Sequence, residues 1–140
     1  MRVAIAAAFM LAALPLQAQT AADSAAIRGT ALDYIEGWYA GDAARMERAL
    51  HPQLAKRIVR QSEGAFVLGD MTAEQLVGYT RAGGGTRTPA AEQQKDVTIL
   101  DIFRNAAVVK IVARDWVDYL QIAKWEGDWK IVNVLWETKQ

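Results

Sequence analysis

The stretch "VTILDIFRNAAVVKIVARDWVDYLQIAKWEGDWKIVNVLW", residues 97–136, alternates apolar and polar side chains over most of its length. Alternation with a period of two is typical of β-strands that bury one face. It is interrupted at Asn105-Ala106, at Asp115-Trp116 and at Glu126-Gly127-Asp128, which we interpret as turns. The sequence therefore predicts a four-stranded antiparallel meander. The predicted strands cover residues 97–104, 107–114, 117–125 and 129–137.

Counting residues from these turns places the side chains on two faces of the sheet, since successive side chains of a strand point to opposite sides. One face has an aliphatic middle that we expect the helices to cover. This face consists of Leu100, Ile102, Val109, Ile111, Leu120, Ile122, Val132 and Val134, with Thr98, Ala113, Asp118 and Trp136 at one end.

The opposite face, which we call the outer face, carries a polar row formed by Asp101, Lys110, Gln121 and Asn133. Burying an unpaired carboxylate is strongly unfavourable, so this face is predicted to be wet or to pair with a second copy of the chain. We therefore expect a homodimer through the outer face. Trp125 and Trp129 are predicted to lie opposite each other on it, across the last turn.

The first half of the chain predicts helices. Apolar residues recur at helical spacing between a candidate cap at Asp23 or Ser24 and the end of the pattern at Ala40. The apolar stripe consists of Ile27, Ala31, Tyr34, Ile35 and Trp38. Asp42 is a candidate cap for a second helix over residues 43–50, and we expect a short third helix over residues 52–58.

The next segments are less regular. Residues 60–72 predict either a short edge strand or a loop. "TAEQ", from Thr72 to Gln75, is a capping box, which predicts a helix over residues 73–81. "GGGTRTP", residues 83–89, is predicted to be a flexible loop without an apolar anchor.

The N-terminus has the layout of a secretory signal peptide, with a positive charge at Arg2, an apolar run from Val3 to Leu16 and a small residue at Ala18. We expect cleavage after Ala18, a single domain over residues 19–140, and a periplasmic or secreted location. The sequence has no second apolar run and no cysteine, so we expect no membrane association after export and no thiol chemistry. With 16 basic and 16 acidic residues and no basic run, it does not predict nucleic-acid binding.

Three segments carry a family resemblance: "ALDYIEGWYAGDAARMERALHPQLAKRIV" (31–59), "MTAEQLVGYTRAGG" (71–84) and the meander itself. Their most recognisable pieces are Gly41-Asp42, His51-Pro52, Asp118-Tyr119-Leu120 and the W-x-I-V-N of the closing strand. They resemble the family called putative lumazine-binding, within the nuclear transport factor 2-like superfamily, which is also described as ketosteroid isomerase-like or cystatin-like. The resemblance implies an α+β fold, in which N-terminal helices pack on a curved antiparallel sheet to form a cone-shaped half-barrel.

The resemblance also implies a ligand in the cone between the sheet and the helices. The expected ligand-binding residues are Tyr34, Trp38, His51, Thr98, Asp118 and Trp136. Asp118 is a candidate general base, and His51, the only histidine, is a candidate acid–base partner. Each residue could instead have a purely structural role, in which its side chain forms hydrogen bonds with neighbouring groups of the protein. One histidine without cysteine argues against a zinc site, and we expect no metal and no cofactor.

The sequence favours an exported domain that binds a small, largely apolar or aromatic molecule. Two alternatives stay open. One is a cofactor-free isomerase, cyclase or dehydratase that uses Asp118 with His51, and the other is a purely structural or interaction domain whose cone is filled. Because one fold hosts many functions, the geometry of the site has to decide between them.

Overall fold

The computed structural model describes residues 16–139, and side chains from residue 21 onward. Within this range the helices are α1 (Leu16–Ala40), α2 (Ala43–Ala49) and α3 (Ala73–Arg81), with a short 3₁₀ turn at Ala90–Glu92. The strands are β1 (Leu50–Ser62), β2 (Ala65–Met71), β3 (Lys95–Phe103), β4 (Ala106–Ala113), β5 (Trp116–Trp125) and β6 (Asp128–Thr138). Of the expected signal peptide, residues 1–15 lie outside the described residues. None of the helices within residues 16–139 is long and apolar enough to cross a membrane.

The strands form one curved sheet in the order β2-β1-β6-β5-β4-β3, and the helices pack on one of its faces. The predicted meander is confirmed as β3 to β6, although the first two turns lie one residue earlier, at Arg104-Asn105 and Arg114-Asp115. The sheet is mixed rather than purely antiparallel, because β1 runs parallel to β6. The predicted α+β architecture of helices on a curved sheet is therefore confirmed, and the sheet contains one parallel pair of strands, β1 and β6.

The short helix predicted over residues 52–58 is wrong, because this segment lies within β1. Leu54, Lys56 and Ile58 are buried and alternate with more exposed neighbours, which is the period of a strand. Pro52 is tolerated because it lies between the paired positions Leu50 and Ala55, where the ladder to β6 shifts register and needs no N–H from it. The adjoining segment, which the sequence left open between strand and loop, forms the edge strand β2.

Two β-bulges correct the predicted faces of the sheet. In β3, the pairing with β4 skips Leu100, which is 51% exposed instead of buried. A bulge inserts one residue and so reverses the alternation of side chains before it. As a result, Ile99 packs against the core, and Thr98 pairs with Lys110 on the exposed outer face.

In β6, the pairing with β5 skips Val132, so that Ile131 is fully buried although it was predicted on the outer face. The same shift turns Trp129 into the core, where it pairs with Lys124 across the hairpin. The predicted cross-strand pair of Trp125 with Trp129 is therefore wrong. The rest of the predicted aliphatic middle is buried at Val109, Ile111, Leu120, Ile122 and Val134.

Helix α1 begins before its predicted caps, so Asp23 lies inside the helix. The Asp23 carboxylate accepts hydrogen bonds from Lys124 Nζ at 2.9 Å and from Trp129 Nε1 at 3.1 Å. These bonds attach the N-terminal half of α1 to the hairpin of β5 and β6. The predicted cap Asp42 is confirmed, since its side chain accepts from the Arg45 backbone N–H, and the predicted capping box at the start of α3 is also confirmed.

Charged side chains join α1 to α2 and to β3 near the surface. Asp33 accepts from Arg45 Nε and Arg48 Nε, both at 2.8 Å, and Glu36 accepts from Arg45 and Lys95. Partial burial opposes ionisation of Asp33, but the hydrogen bonds from Arg48 and Arg45 outweigh it and lower the pKa of Asp33 below its usual 3.8. This network links α1 to α2 and to β3.

We predict that Asp33→Asn lowers the free energy of unfolding at neutral pH by roughly 1 kcal/mol, because partly exposed ion pairs are each worth less than that. Since the pKa of Asp33 is lower in the folded than in the unfolded chain, its contribution is present above 3.8 and is lost as the pH falls below it. Urea unfolding at neutral and at acidic pH measures both effects.

The matched control is Glu47→Gln, which removes the same charge from an exposed α2 residue without a described ion pair. Its unfolding is expected to match the parent protein. An Asp33→Asn protein as stable as the control at neutral pH would contradict the prediction.

Candidate functional site

A buried ion pair lies between the helices and the sheet. Lys56 Nζ is 2.6 Å from Asp118 Oδ1, and the two residues are 5% and 0% exposed. The second carboxylate oxygen of Asp118 accepts from Trp116 Nε1 at 2.6 Å. Both oxygens of Asp118 are therefore occupied, which satisfies a charge that would be costly to bury alone.

The sheet topology brings the two members of this pair together. The parallel ladder between β1 and β6 aligns Lys56 with Val134 and Ile58 with Trp136. The antiparallel ladder between β6 and β5 then aligns Trp136 with Asp118. Lys56 and Asp118 thus belong to strands that flank β6, and both point toward the helices.

Two aromatic residues complete the surroundings of the Lys56 amine. Its Nζ donates to the Tyr34 hydroxyl at 2.8 Å and lies 4.6 Å from the centre of the Trp136 ring, within the range of cation–π attraction. Burial lowers the pKa of Lys56, and the neighbouring Asp118 carboxylate opposes this effect. Burial, followed by the charge of Asp118, raises the pKa of Tyr34 well above 10.0, so its hydroxyl stays protonated.

Beside this cluster lies a cavity of about 140 Å³. All three described helices and four strands contribute to its walls. The lining residues are Tyr34, Trp38, Met46, Lys56, Met71, Leu76, Trp116 and Trp136. Lys56 is the only charged residue among them, so the cavity is an aromatic and aliphatic chamber with one lysine in its wall.

The loop that contains Gly84 and Gly85 packs against Trp38 in the cavity wall. A Cβ atom at Gly84 would lie 2.4 Å from the Trp38 ring, and one at Gly85 would lie 2.4 Å from the Trp38 carbonyl oxygen. Only glycine allows this approach. The loop predicted to lack an apolar anchor is thus packed against Trp38, whose other side meets the Trp116 ring edge-on at 6.2 Å.

The structure brings together four of the residues predicted for the site. Tyr34, Trp38 and Trp136 line the cavity, and Asp118 holds the lysine in its wall. Thr98 does not belong to the group, because the bulge in β3 turns it to the outer face. These placements follow from the register of the sheet.

His51 is also distant from Asp118. Its ring meets Trp125 edge-on at 4.9 Å, and its Nδ1 accepts from the backbone N–H of Gln53. Trp125 lies seven residues beyond Asp118 on β5. At the usual strand rise, about 20 Å separates Asp118 from Trp125 and from the His51 ring beside it. The structure therefore does not form the acid–base pair of Asp118 with His51.

Sequence reasoning missed Lys56 and Trp116. Lys56 was assigned to a helix, although "LAKRI", residues 54–58, alternates in a way that places its lysine on the same face as Leu54 and Ile58. Trp116 was assigned to a turn, but it is the first residue of β5. A strand over residues 50–62 would have placed Lys56 on the buried face, where a lysine needs a carboxylate partner.

Among residues 16–139, no cluster of three or more histidine, cysteine, aspartate or glutamate side chains could hold a metal ion. No curated protein matches the chain. The family model described as "Putative lumazine-binding" matches residues 22–137. The chain belongs to this family. Its members' shared name refers to a small molecule, and the match includes every residue of the cavity.

Solved structures with the same fold come from several bacteria. A nuclear transport factor 2-like protein of unknown function from Shewanella baltica has a TM-score of 0.65 and 19% identity, over 86% of this chain and 96% of that chain. A similar protein from Silicibacter pomeroyi has a TM-score of 0.64 and 17% identity, over 86% and 98%. A protein with a cystatin-like fold from Novosphingobium aromaticivorans has a TM-score of 0.66 and 11% identity, over 94% and 91%. At these identities the likeness shows the fold alone.

We predict that Lys56→Met and Asp118→Asn each lower the free energy of unfolding by roughly 3–5 kcal/mol, because each leaves a buried charge without its partner. The free energy of unfolding of the double variant is expected to fall by less than the sum of the two single losses. The second change removes the buried charge that the first change left without a partner. Urea unfolding of the four proteins measures the coupling, expected at about 1–3 kcal/mol. Strictly additive losses would show that the ion pair contributes no coupling.

Proposed function

We propose that this domain binds a small molecule by enclosing one flat apolar group in the cavity, with a polar atom of the ligand directed at Lys56. The observation that carries the proposal is the composition of the cavity wall, which has aromatic and aliphatic side chains around a single amine. Apolar walls with few polar groups are the usual form of small-ligand sites, where the polar groups fix orientation. Membership of a family named for lumazine binding supports the same kind of ligand.

The size of the cavity limits the group that it can enclose. Its volume of about 140 Å³ is close to the roughly 150 Å³ of an apolar protein cavity that accepts benzene. A single aromatic ring therefore fits. The two fused rings of lumazine would be enclosed only in part, and the three rings of a flavin would leave most of the molecule outside.

Lys56 can recognise an oxygen atom on such a ligand. An ammonium group has three N–H donors, and its hydrogen-bond partners among the described residues are Tyr34 and Asp118. One donor is left for an acceptor in the cavity. An aromatic molecule that bears a carbonyl, hydroxyl or carboxylate oxygen matches this arrangement.

The energetics argue against a purely structural domain. The chain places a lysine in the wall of the cavity, although an aliphatic residue would avoid the desolvation of a charge. This feature is costly for folding and useful for binding.

We further propose that the mature domain acts in the periplasm or outside the cell, as the signal-like residues 1–18 suggest, and that it pairs through the outer face. Large apolar side chains are exposed on that face at Val59, Tyr119 and Leu135, which line one groove, and at Phe103, which lies apart in a second groove. An exposed apolar patch such as that of Val59, Tyr119 and Leu135 is typical of an interface. The predicted polar row is broken, because Lys110 pairs with Tyr119, whereas Gln121 pairs with Asn133. Asn133 Nδ2 donates to Gln121 Oε1, so these two amides have partners under a covering surface.

We predict that benzyl alcohol shifts the indole N–H resonances of Trp38, Trp116 and Trp136 in ¹⁵N NMR spectra, in a saturable manner. These rings line the cavity, whereas Trp125 is exposed beside His51 and serves as an internal control. Riboflavin at the same concentration is expected to cause smaller shifts, because its ring system exceeds the cavity.

Leu76→Phe, which narrows the cavity, is expected to weaken benzyl alcohol binding by about tenfold, equal to roughly 1.4 kcal/mol. Leu135→Phe, the same change on the outer face, is the matched control and is expected to leave binding unchanged. Shifts confined to Trp125, or equal weakening by both variants, would contradict the cavity as the binding site.

We also predict that sedimentation equilibrium at micromolar concentration gives twice the mass of the mature chain. Leu135→Arg is expected to give the mass of one chain, because it places a charge in the centre of the apolar patch. Tyr79→Arg, on the exposed surface of α3, is the matched control and is expected to remain dimeric. A parent protein with the mass of one chain would refute the dimer.

A further inference from the structure

We infer that Lys56 is a carbonyl-capturing amine, which condenses with an aldehyde or ketone held in the cavity to form an imine at Nζ. This inference rests on the proposed function, because the carbonyl compound must first enter the cavity. It assigns a chemical class to the ligand, a one-ring aromatic aldehyde or ketone. It also assigns a covalent step to Lys56.

The position of the amine suits this reaction. Lys56 lines the cavity, and its Nζ is bordered by the Trp136 ring and by two oxygen groups, the Tyr34 hydroxyl at 2.8 Å and Asp118 Oδ1 at 2.6 Å. Water has little access to the amine, since Lys56 is 5% exposed. Burial of the amine favours the imine, because water is the product that would reverse the condensation.

Imine formation needs a neutral amine and groups that move protons. Asp118 accepts one proton from the ammonium, which leaves the nitrogen lone pair free to attack the carbonyl carbon. The N–C bond forms as the C=O π electrons move to oxygen, and this oxygen takes up the proton that the ammonium had released to Asp118, which gives a carbinolamine protonated at nitrogen. One of the two protons on nitrogen then passes to the hydroxyl, which leaves as water, and the product is a protonated imine beside the Asp118 carboxylate. The C=N bond replaces the C=O bond, and no oxidant or reductant is consumed.

Tyr34 and Asp118 have complementary parts in these transfers. The Tyr34 hydroxyl remains protonated and can donate to the developing alkoxide, whereas the Asp118 carboxylate can take the proton that the amine releases. The Trp116 indole, bonded to the other carboxylate oxygen, holds Asp118 in place during the exchange. Burial also lowers the pKa of Lys56, which increases the neutral fraction of the amine.

The other lysines of the described chain lack these surroundings. Lys124 donates to Asp23 and Lys130 donates to the Arg48 carbonyl, and both are accessible to water at the surface of the sheet. Lys95, Lys110 and Lys139 lie outside the cavity. Selective reaction at Lys56 is therefore a property of the site.

Reductive trapping tests the inference. The mature protein is incubated at neutral pH with benzaldehyde and cyanoborohydride, which reduces an imine to a stable benzylamine, and the modified residue is located by peptide mass spectrometry. Lys56 is expected to gain one benzyl group at least about tenfold faster than any other lysine, because Tyr34 and Asp118 can move the protons at its amine. Lys56→Arg keeps a cation beside Asp118 and is expected to lose this fast labelling, while Lys124→Arg is expected to retain it.

A competition experiment avoids any dependence on the folding of variants. Benzyl alcohol has the same ring but no carbonyl, so it is expected to slow the labelling of Lys56 in the parent protein and to leave surface lysines unaffected. Benzyl alcohol binding without faster labelling of Lys56 would overturn the imine and leave the proposed binding function intact. Absence of both binding and labelling would overturn both.

Discussion

The ion pair of Lys56 with Asp118 connects the parts of this fold that the chain places far apart. It joins β1 to β5 across β6, and through the Tyr34 hydroxyl it reaches α1. A buried pair of this kind is weak evidence for stability, because its desolvation cost offsets most of the attraction. Its clearest consequence is positional. The pair fixes the side chain of Lys56 against the aromatic wall, and so it defines which face of the parallel strand β1 points into the cone.

The meander could be predicted from the sequence because its strands are neighbours in the chain, and their alternation is visible in any short window. The capping box of α3 and the N-cap of α2 are local signals in the same sense. The parallel pairing of β1 with β6 is different, since it joins residues about eighty positions apart. Pro52 and the preceding helix favoured continued helix locally. The alternation of Leu54, Lys56 and Ile58 is short, and the strand that pairs with it lies far away in the sequence.

The candidate site was predictable to the extent that regular periods persist. The helical stripe that ends at Trp38 and the strand position of Trp136 gave correct cavity residues. The bulges at Leu100 and Val132 removed Thr98 from the expected group and placed Trp129 in the core. Neither bulge is marked by a glycine, so counting residues could not detect them. His51 was predicted as a site residue because its side chain can titrate and because it follows a helix. It lies in β1 beside Trp125, at the end of β5 far from Asp118.

The family match and the solved relatives establish the fold, and the cavity with its single amine gives this chain its own chemistry. A crystal structure of the protein soaked with benzyl alcohol tests the central claim most directly. We predict density for one ring between Trp38 and Trp136, with the ligand oxygen about 2.7–3.2 Å from Lys56 Nζ. An unoccupied cavity at saturating ligand, or a ring bound only on the outer face of the sheet, would contradict it.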